Sequence, residues 1–294
     1  MKKKFIAITF LLLITFGMIG CGKNQVLKKE NVNETNQEQA TENKETAEEQ
    51  QENTNNDTEE QSQSQIDYIN IAPEEVKIPI LMYHSISDED PSNNLLVPPA
   101  MFEEQMAWLE ANNFTAMNMD EALEAMRTGK VPKRPVVITF DDGYANNYTS
   151  AFPSLKNHKL KATFFVITDG VDNGYYMSSD NLKEMQEAGM SIENHTANHL
   201  ELNNLSKTDA YESIKRAQDY LRNVIGSDGN YLCYPVGKYN DETIQIEEEL
   251  GIKAAVTTHG GFASINDGLH TLKRVRISPM SIEGFASIFS EYIN

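Results

Sequence analysis

From residue 66 onward, short apolar runs alternate with segments whose apolar residues recur at three- and four-residue spacing. The runs are rich in β-branched or aromatic residues and are bounded by turn residues, which predicts buried strands. The predicted strands lie at residues 78–83, 136–140, 162–168, 191–195, 231–235 and 254–258. The segments between them predict helices, including a long one that ends near Gly226. This alternation favours an α/β fold with a parallel sheet, open or closed, and we favour a closed barrel.

In both forms of parallel sheet, functional residues collect where the strands reach their carboxyl ends. The strand at residues 136–140 runs directly into Asp141, Asp142 and Gly143. Two adjacent carboxylates after an apolar strand are costly to bury unless they have partners or a metal, although Asp-Gly is also common in plain turns. Because adjacent side chains point in different directions, one carboxylate can bind a cation while the other faces the reacting centre.

A second polar cluster follows the strand at residues 191–195, which ends at His195 and has His199 four positions later. On a helical turn, two histidines at this spacing lie on one side and reach one ion, although the spacing also occurs by chance. With Asp142 they complete a set of two histidines and one carboxylate, which is typical of an open metal site. The sequence therefore predicts a divalent ion, Zn²⁺ by default, with Co²⁺, Ni²⁺ or Mn²⁺ as alternatives.

The composition excludes several other classes of protein. Asp and Glu number 44 against 25 Lys and Arg, a net charge of −19, whereas a nucleic-acid-binding protein needs a basic footprint. Two cysteines are too few for a disulfide framework or a Cys-rich zinc module. No motif indicates a nucleotide, so we expect neither nucleic acid nor nucleotide as a partner.

The first 65 residues predict an export signal followed by a tether. Three lysines precede an apolar run at residues 5–19, as in a signal peptide. Met18-Ile19-Gly20-Cys21 resembles the lipobox of bacterial lipoproteins, in which the cysteine is lipidated and becomes the mature N-terminus. An uncleaved anchor is the alternative, although the run is shorter than the roughly 20 residues of a spanning helix. Residues 22–65 hold eight Asn, eight Gln and eleven acidic residues, which predicts disorder.

These observations predict three regions. Residues 1–21 are a lipoprotein signal peptide, residues 22–65 are a disordered acidic tether rich in Asn and Gln, and residues 66–294 are a single catalytic domain. The tether would hold this domain at the outer face of the cytoplasmic membrane through lipid on Cys21.

Several motifs of the domain resemble those of one family. Thr139-Phe140-Asp141-Asp142-Gly143 and His195-Thr196-x-x-His199 are similar to two diagnostic motifs of the polysaccharide deacetylases, which are carbohydrate esterase family 4 with a NodB-homology domain. The family also resembles this sequence in the spacing of these motifs and in the segment ATFFV at 162–166. Two further segments resemble the branch that includes poly-N-acetylglucosamine deacetylases, namely MYHSI at 82–86 and Tyr-Pro-x-Gly at 234–237. The resemblance runs from residue 78 to about 279 and implies an irregular (β/α) barrel of seven or eight strands.

The resemblance also implies a role for each matching residue. Asp142, His195 and His199 resemble the metal ligands, and Asp141 resembles the general base that activates water. The acid histidine of this branch comes from the N-terminal strand, because its chain order is permuted, and this makes His84 the candidate general acid. The remaining positions are implied to hold the oxyanion, through a backbone N–H, or to line the substrate site: Tyr144, Tyr234, Pro235 and Gly237.

Two positions depart from the family pattern. Cys233 stands where many relatives have an arginine that pairs with the base carboxylate. Either the base then has a higher pKa, or Arg274 or Arg276 supplies the guanidinium and orients it. Val236 stands where an aromatic residue is common, which removes a surface on which a sugar ring could stack.

Together, the residues and the resemblance predict a monomeric, metal-dependent N-deacetylase. Its substrate would be the N-acetylglucosamine residues of a cell-surface polysaccharide, either poly-N-acetylglucosamine or peptidoglycan. Two alternatives stay open: an O-acetyl esterase acting on acetylated glycan, and a non-catalytic surface lipoprotein that binds glycan.

Overall fold

A computed structural model of the protein describes residues 66–293. The expected signal peptide at residues 1–21, the tether at 22–65 and the lipidation site Cys21 lie outside the described residues and stay predictions. In the described part of the chain, no helix is both long enough and apolar enough to cross a membrane.

The described residues form ten strands and eight α-helices, with short 3-10 or π-helical turns between some of them. The strands are β1 Tyr68–Asn70, β2 Ile80–Tyr83, β3 Thr115–Met117, β4 Lys130–Pro132, β5 Pro135–Phe140, β6 Thr163–Val166, β7 Ser191–Asn194, β8 Tyr231–Cys233, β9 Ala254–Gly260 and β10 Leu272–Arg276. The helices are α1 Pro99–Ala111, α2 Met119–Thr128, α3 Phe152–Asn157, α4 Ser179–Glu187, α5 Lys207–Ile225, α6 Asp241–Leu250, α7 Ile282–Ile288 and α8 Ser290–Ile293.

Seven parallel strands close into a barrel in the order β2, β10, β9, β8, β7, β6 and β5, and β5 pairs back with β2. The short strand β3 pairs with the amino-terminal half of β5 and stays outside the closed ring. An antiparallel pair, β1 with β4, forms a separate two-stranded sheet. The predicted α/β barrel of seven or eight strands is therefore confirmed, with seven strands closing the ring and an eighth at its side.

All six strands predicted from the sequence are present, and the long helix α5 ends at Gly226 as expected. The sequence pattern did not predict β10, which inserts between β2 and β9 and closes the ring. Its sequence, LKRVR, places three charged residues among two apolar ones, so it lacks the apolar run that marked the other strands. One of its pairing partners, β2, is far away in the chain, and pairing with β2 and β9 identifies β10 as a strand.

Alternation of side chains along each strand separates an interior from an exterior. The interior of the barrel is filled by one cluster of buried residues, which includes Ile80, Val137, Phe165, Tyr231, Val256 and Leu272. Residues next to these in the sequence point outward and pack in two other buried clusters outside the barrel. They include Val136, Ile138, Phe164, Leu232 and Ala255. Carried to the carboxyl ends of the strands, the same alternation turns Asp141, His195 and Cys233 inward.

The amino-terminal end of the barrel is filled by apolar side chains of α2 and β4. Leu123, Met126 and Val131 belong to the interior cluster. The helix that carries the first two begins at a capping box, in which the side chain of Asn118 accepts a hydrogen bond from the backbone N–H of Glu121. Polar side chains thus collect at the opposite, carboxyl end of the barrel.

Candidate active site

The structure brings Asp142, His195 and His199 together at the carboxyl end of the barrel. Asp142 Oδ1 lies 3.2 Å from His195 Nε2 and 3.3 Å from His199 Nε2. Ligands bound at about 2.0–2.1 Å in a tetrahedral zinc site are separated by roughly 3.4 Å. The spacing of these oxygen and nitrogen atoms, together with their chemistry, fits a single divalent ion.

The two histidines lie on a loop, and the predicted helical turn at residues 195–199 is wrong. Thr196 and His199 adopt left-handed backbone conformations, with φ of 64° and 55°. The Asn194 side chain fixes this loop by accepting a hydrogen bond from the Thr196 N–H and donating one to the carbonyl of Ile214 in α5. Left-handed non-glycine residues persist only where their surroundings enforce them, and they cluster at functional sites.

Hydrogen bonding and burial prepare both imidazoles for a cation. His195 Nδ1 lies 2.7 Å from the carbonyl oxygen of Cys233, which only accepts hydrogen bonds. Nδ1 therefore carries a hydrogen, and Nε2, 3.2 Å from Asp142 Oδ1, is the nitrogen that the neutral imidazole would offer to a cation. Burial and the neighbouring His195 lower the pKa of His199, which favours the neutral imidazole that a metal requires.

A second donor set shares His195 with the first. Asp141, His195 and Cys233 also place one ligand atom each within 4.8 Å of the others. In that set, however, both carboxylate oxygens of Asp141 and the sulfur of Cys233 accept hydrogen bonds from the Arg274 guanidinium. Because this guanidinium already provides a positive charge there, the set with Asp142 and His199 is the better metal site.

The Arg274 guanidinium pairs with Asp141 inside the barrel. Nη1 lies 2.7 Å from Oδ1 and Nη2 lies 2.7 Å from Oδ2, a bidentate pair whose arginine side chain is fully buried. The other N–H groups of Arg274 donate to the Thr257 carbonyl, to the Thr139 hydroxyl and to Cys233 Sγ. All five donors of the guanidinium are thus used. Arg276 is exposed and does not pair with Asp141.

This pairing controls the ionisation of Asp141. Burial raises the pKa of the carboxyl group, but the charge and hydrogen bonds of Arg274 outweigh it and hold the pKa well below its usual range. The presence of Cys233 in place of the family arginine therefore does not raise the pKa of Asp141. Asp141 is a carboxylate at neutral pH, and its position is fixed by two hydrogen bonds.

His84 lies directly beyond β2 and, like Arg274, approaches Oδ2 of Asp141. Its Nε2 is 3.8 Å from Asp141 Oδ2, and its Nδ1 is buried with no hydrogen-bond partner among the described residues. Burial lowers the pKa of His84, and the two aspartates oppose this only in part. Asn147, which the sequence analysis missed, holds this segment by donating a hydrogen bond from Nδ2 to the His84 carbonyl.

Backbone geometry after β5 exposes one N–H group near the carboxylates. Gly143 has φ of 81°, and a Cβ atom there would lie 3.2 Å from Val166, so the turn requires glycine. The N–H groups of Gly143 and Ala145 donate to backbone carbonyls. The N–H of Tyr144, between them, donates to no acceptor among the described residues.

The segment at residues 234–237 does not present all of its side chains to the site. Tyr234 is buried in the cluster beneath α5 and α6, and its hydroxyl donates to the carbonyl of His270. Pro235 is also buried. The interpretation of the Tyr234 side chain as a substrate contact is therefore wrong, because Tyr234 directly follows β8 and its side chain packs outside the barrel in the same cluster as Leu232. Gly237 packs against Thr258, whose Oγ1 lies 2.2 Å from the position that a Cβ of residue 237 would take. Val236 is exposed.

Comparison with known proteins agrees with this fold and geometry. Residues 128–255 match the family model described as polysaccharide deacetylase. The chain is 40% identical over 218 residues to the Bacillus subtilis protein YxkH, which carries the name of a polysaccharide deacetylase, and the match covers 74% of this chain and 76% of that protein. The chain belongs to the polysaccharide deacetylase family. A Staphylococcus epidermidis poly-β-1,6-N-acetyl-D-glucosamine N-deacetylase is 27% identical, over 69% of this chain and 80% of its own.

Solved structures of deacetylases superimpose on this barrel. The structure of the Streptococcus pyogenes deacetylase PplD in complex with acetate superimposes with a TM-score of 0.71 and 36% identity, covering 73% of this chain and 99% of that one. A structure described as a polysaccharide deacetylase from Bacillus cereus superimposes with a TM-score of 0.66 and 31% identity, covering 73% and 69%. The chain is thus a polysaccharide deacetylase in both sequence and fold.

Replacement of the buried arginine tests the ion pair without an assay of activity. Arg274→Met leaves Asp141 as an unpaired buried charge, so we expect the free energy of unfolding to fall by about 3–5 kcal/mol. Adding Asp141→Asn to Arg274→Met removes that charge and should restore part of the loss. Urea denaturation of the wild type, both single variants and the double variant measures the coupling. A double variant whose loss equals the sum of the two single losses would show that the pair does not interact.

Proposed function

We propose that this polysaccharide deacetylase is a metal-dependent N-deacetylase that acts on N-acetylglucosamine residues of a cell-surface polysaccharide. One observation carries the proposal: a donor set for a divalent ion lies beside a separate carboxylate that an arginine keeps ionised. The substrate class is supported by relatives named as poly-β-1,6-N-acetyl-D-glucosamine N-deacetylases. Poly-N-acetylglucosamine and peptidoglycan both contain this sugar.

Asp142, His195 and His199 would hold the metal. Zn²⁺ suits a set of two imidazoles and one carboxylate, which also accepts Co²⁺, Ni²⁺ or Mn²⁺. A divalent ion bound there would lower the pKa of water toward about 7 and polarise the acetamide carbonyl.

Asp141 takes the role of general base. Its two oxygens are held by Arg274, so the carboxylate keeps a fixed direction while it accepts a proton from the attacking water. A positioned base contributes about 10²–10⁴-fold to the rate. Arg274 acts through Asp141 and is a positioning residue.

His84 takes the role of general acid. The departing amine is a poor leaving group unless its nitrogen receives a proton, and His84 is the imidazole beside Asp141 that does not belong to the metal donor set. Its Nε2 lies 3.8 Å from Asp141 Oδ2, so the proposed proton donor and the proposed proton acceptor are near each other.

The unpaired N–H of Tyr144 would donate a hydrogen bond to the oxygen that becomes negatively charged when water attacks the carbonyl. A donor aimed at this oxyanion is worth about 3–4 kcal/mol in other hydrolases. Gly143 makes this possible because its left-handed conformation leaves the next N–H free of the turn.

We also propose that the enzyme is lipid-anchored through Cys21 at the outer face of the cytoplasmic membrane. The support is the lipobox-like sequence at residues 18–21 and the acidic tether that follows it. At that location, the enzyme would meet polysaccharide outside the cell.

Substitution of the base tests the proposed reaction. The purified protein, loaded with Zn²⁺ and incubated with an N-acetylglucosamine oligomer, should release acetate and free amine in equal amounts. Asp141→Asn should lower kcat by about 10²–10⁴-fold and still bind one equivalent of Zn²⁺, because Asp141 lies outside the donor set. Calorimetry with Zn²⁺ provides the control for the integrity of the site. Acetate without amine from an O-acetylated glycan would indicate an esterase, and a zinc-loaded protein inert on every acetylated glycan would indicate a binding protein.

Replacement of His84 tests the acid separately. An amide needs a protonated leaving nitrogen, whereas an activated aryl acetate does not. His84→Ala should therefore reduce turnover of the acetamide about 10²-fold or more and reduce turnover of the aryl acetate far less. Equal losses on the two substrates would remove His84 from the acid role.

A further inference from the structure

Three exposed apolar side chains stand on successive loops at the carboxyl end of the barrel. Tyr175 follows β6, Leu200 follows β7 and Val236 follows β8, and they are 65%, 48% and 55% exposed. The strands that carry these loops are neighbours in the ring. The other exposed large hydrophobic residues of the described chain lie in its first four residues or at residue 293. The three form what we call the apolar rim.

The backbone beneath Tyr175 is fixed although its ring is exposed. The Asn173 side chain accepts hydrogen bonds from the N–H groups of Tyr175 and Tyr176. The carbonyl of Tyr175 accepts one from Ala145, and the N–H of Met177 donates to Gly143. An aromatic ring held out on an ordered loop loses little conformational freedom when a ligand packs on it.

Aromatic contacts join Tyr175 to the catalytic centre. Its ring meets that of Tyr144 edge to face, with the centroids 5.5 Å apart, and meets that of Tyr176 at 5.1 Å. The rings of Tyr144 and Tyr176 stack on each other. Tyr144 is two residues from the proposed ligand Asp142, so the aromatic surface begins at the site and extends outward.

The other two members of the rim also follow residues of the site closely in the chain. Leu200 directly follows His199, and Val236 is three residues after Cys233, whose carbonyl accepts the hydrogen bond from His195. Val236 has φ of 56°, a conformation that a β-branched residue rarely adopts. A strained backbone that presents an exposed apolar side chain next to a catalytic centre indicates binding of a ligand.

The ligand that fits this pattern is a chain of pyranose rings. A β-linked hexosamine has polar groups at its edge, whereas the axial C–H bonds give its faces apolar character, and aromatic rings pack against such faces. A single sugar held at the metal donor set needs no apolar surface on loops to its side. The neighbouring sugars of a polymer would lie against such a surface.

We propose that the apolar rim binds sugars that flank the N-acetylglucosamine being deacetylated, with Tyr175 as its principal contact. This inference rests on the proposed function for its substrate class. It assigns recognition of chain length to the loops after β6, β7 and β8.

Binding to an inactive protein tests the rim apart from catalysis. In the Asp141→Asn background, titration calorimetry measures the Kd of hexamers and dimers of β-1,6- and β-1,4-linked N-acetylglucosamine. Tyr175→Ala should weaken binding of the preferred hexamer about tenfold, with a smaller effect on the dimer. Tyr175→Phe keeps the ring and should stay close to the parent. Tyr68→Ala, which removes another exposed tyrosine in β1, is the matched control and should change neither Kd.

Kinetics of the active enzyme supply the second readout. Tyr175→Ala should lower the ratio of kcat/KM for the hexamer to that for the dimer about tenfold, mainly through KM. The inference is overturned if Tyr175→Ala and Tyr175→Phe bind the hexamer equally well, or if the parent binds hexamer no more tightly than dimer. If the rim binds hexamers as expected but the wild type releases no acetate, the proposed function fails and the rim stands. If acetate is released with no dependence on chain length, only the rim fails.

Discussion

A buried ion pair between Arg274 on β10 and Asp141 after β5 joins strands that are not neighbours in the barrel. The guanidinium reaches Thr257 in β9, Cys233 in β8 and Thr139 in β5, and each contact uses a donor that would otherwise be buried without a partner. Buried ion pairs contribute little net stability compared with apolar residues of the same size. Here the pair holds the Asp141 carboxylate ionised and in one orientation.

This pair also separates the tasks of two adjacent carboxylates. Asp141 follows the alternation of β5 into the interior, where its two oxygens accept hydrogen bonds from Arg274. Asp142 has φ of 72°, and this left-handed conformation turns its side chain toward His195 and His199. One carboxylate is therefore available to a cation and the other is not. The difference comes from the backbone and a distant arginine, since the side chains are identical.

The amino-acid sequence predicted the parts of this arrangement that depend on local pattern. Short apolar runs indicated the strands, and the rule that polar residues gather at the carboxyl ends of parallel strands selected Asp141, Asp142 and His195. The parts that depend on distant contacts were not predictable in this way. The loop at residues 195–199 takes its shape from α5 and not from helical spacing, and β10 is a strand because β2 and β9 flank it. Resemblance to the family left Arg274 and Arg276 as candidates to pair with Asp141, and the hydrogen bonds of the structure identify Arg274.

The central claim is that Asp142, His195 and His199 share one divalent ion while Arg274 occupies the neighbouring donor set. Anomalous scattering from crystals of the zinc-loaded protein, recorded on both sides of the zinc absorption edge, tests it most directly. The account predicts one peak about 2.0–2.2 Å from a carboxylate oxygen of Asp142 and from Nε2 of each histidine, with Cys233 unbound. A peak bonded to the Cys233 sulfur with Arg274 displaced, or no peak at these histidines, would contradict it.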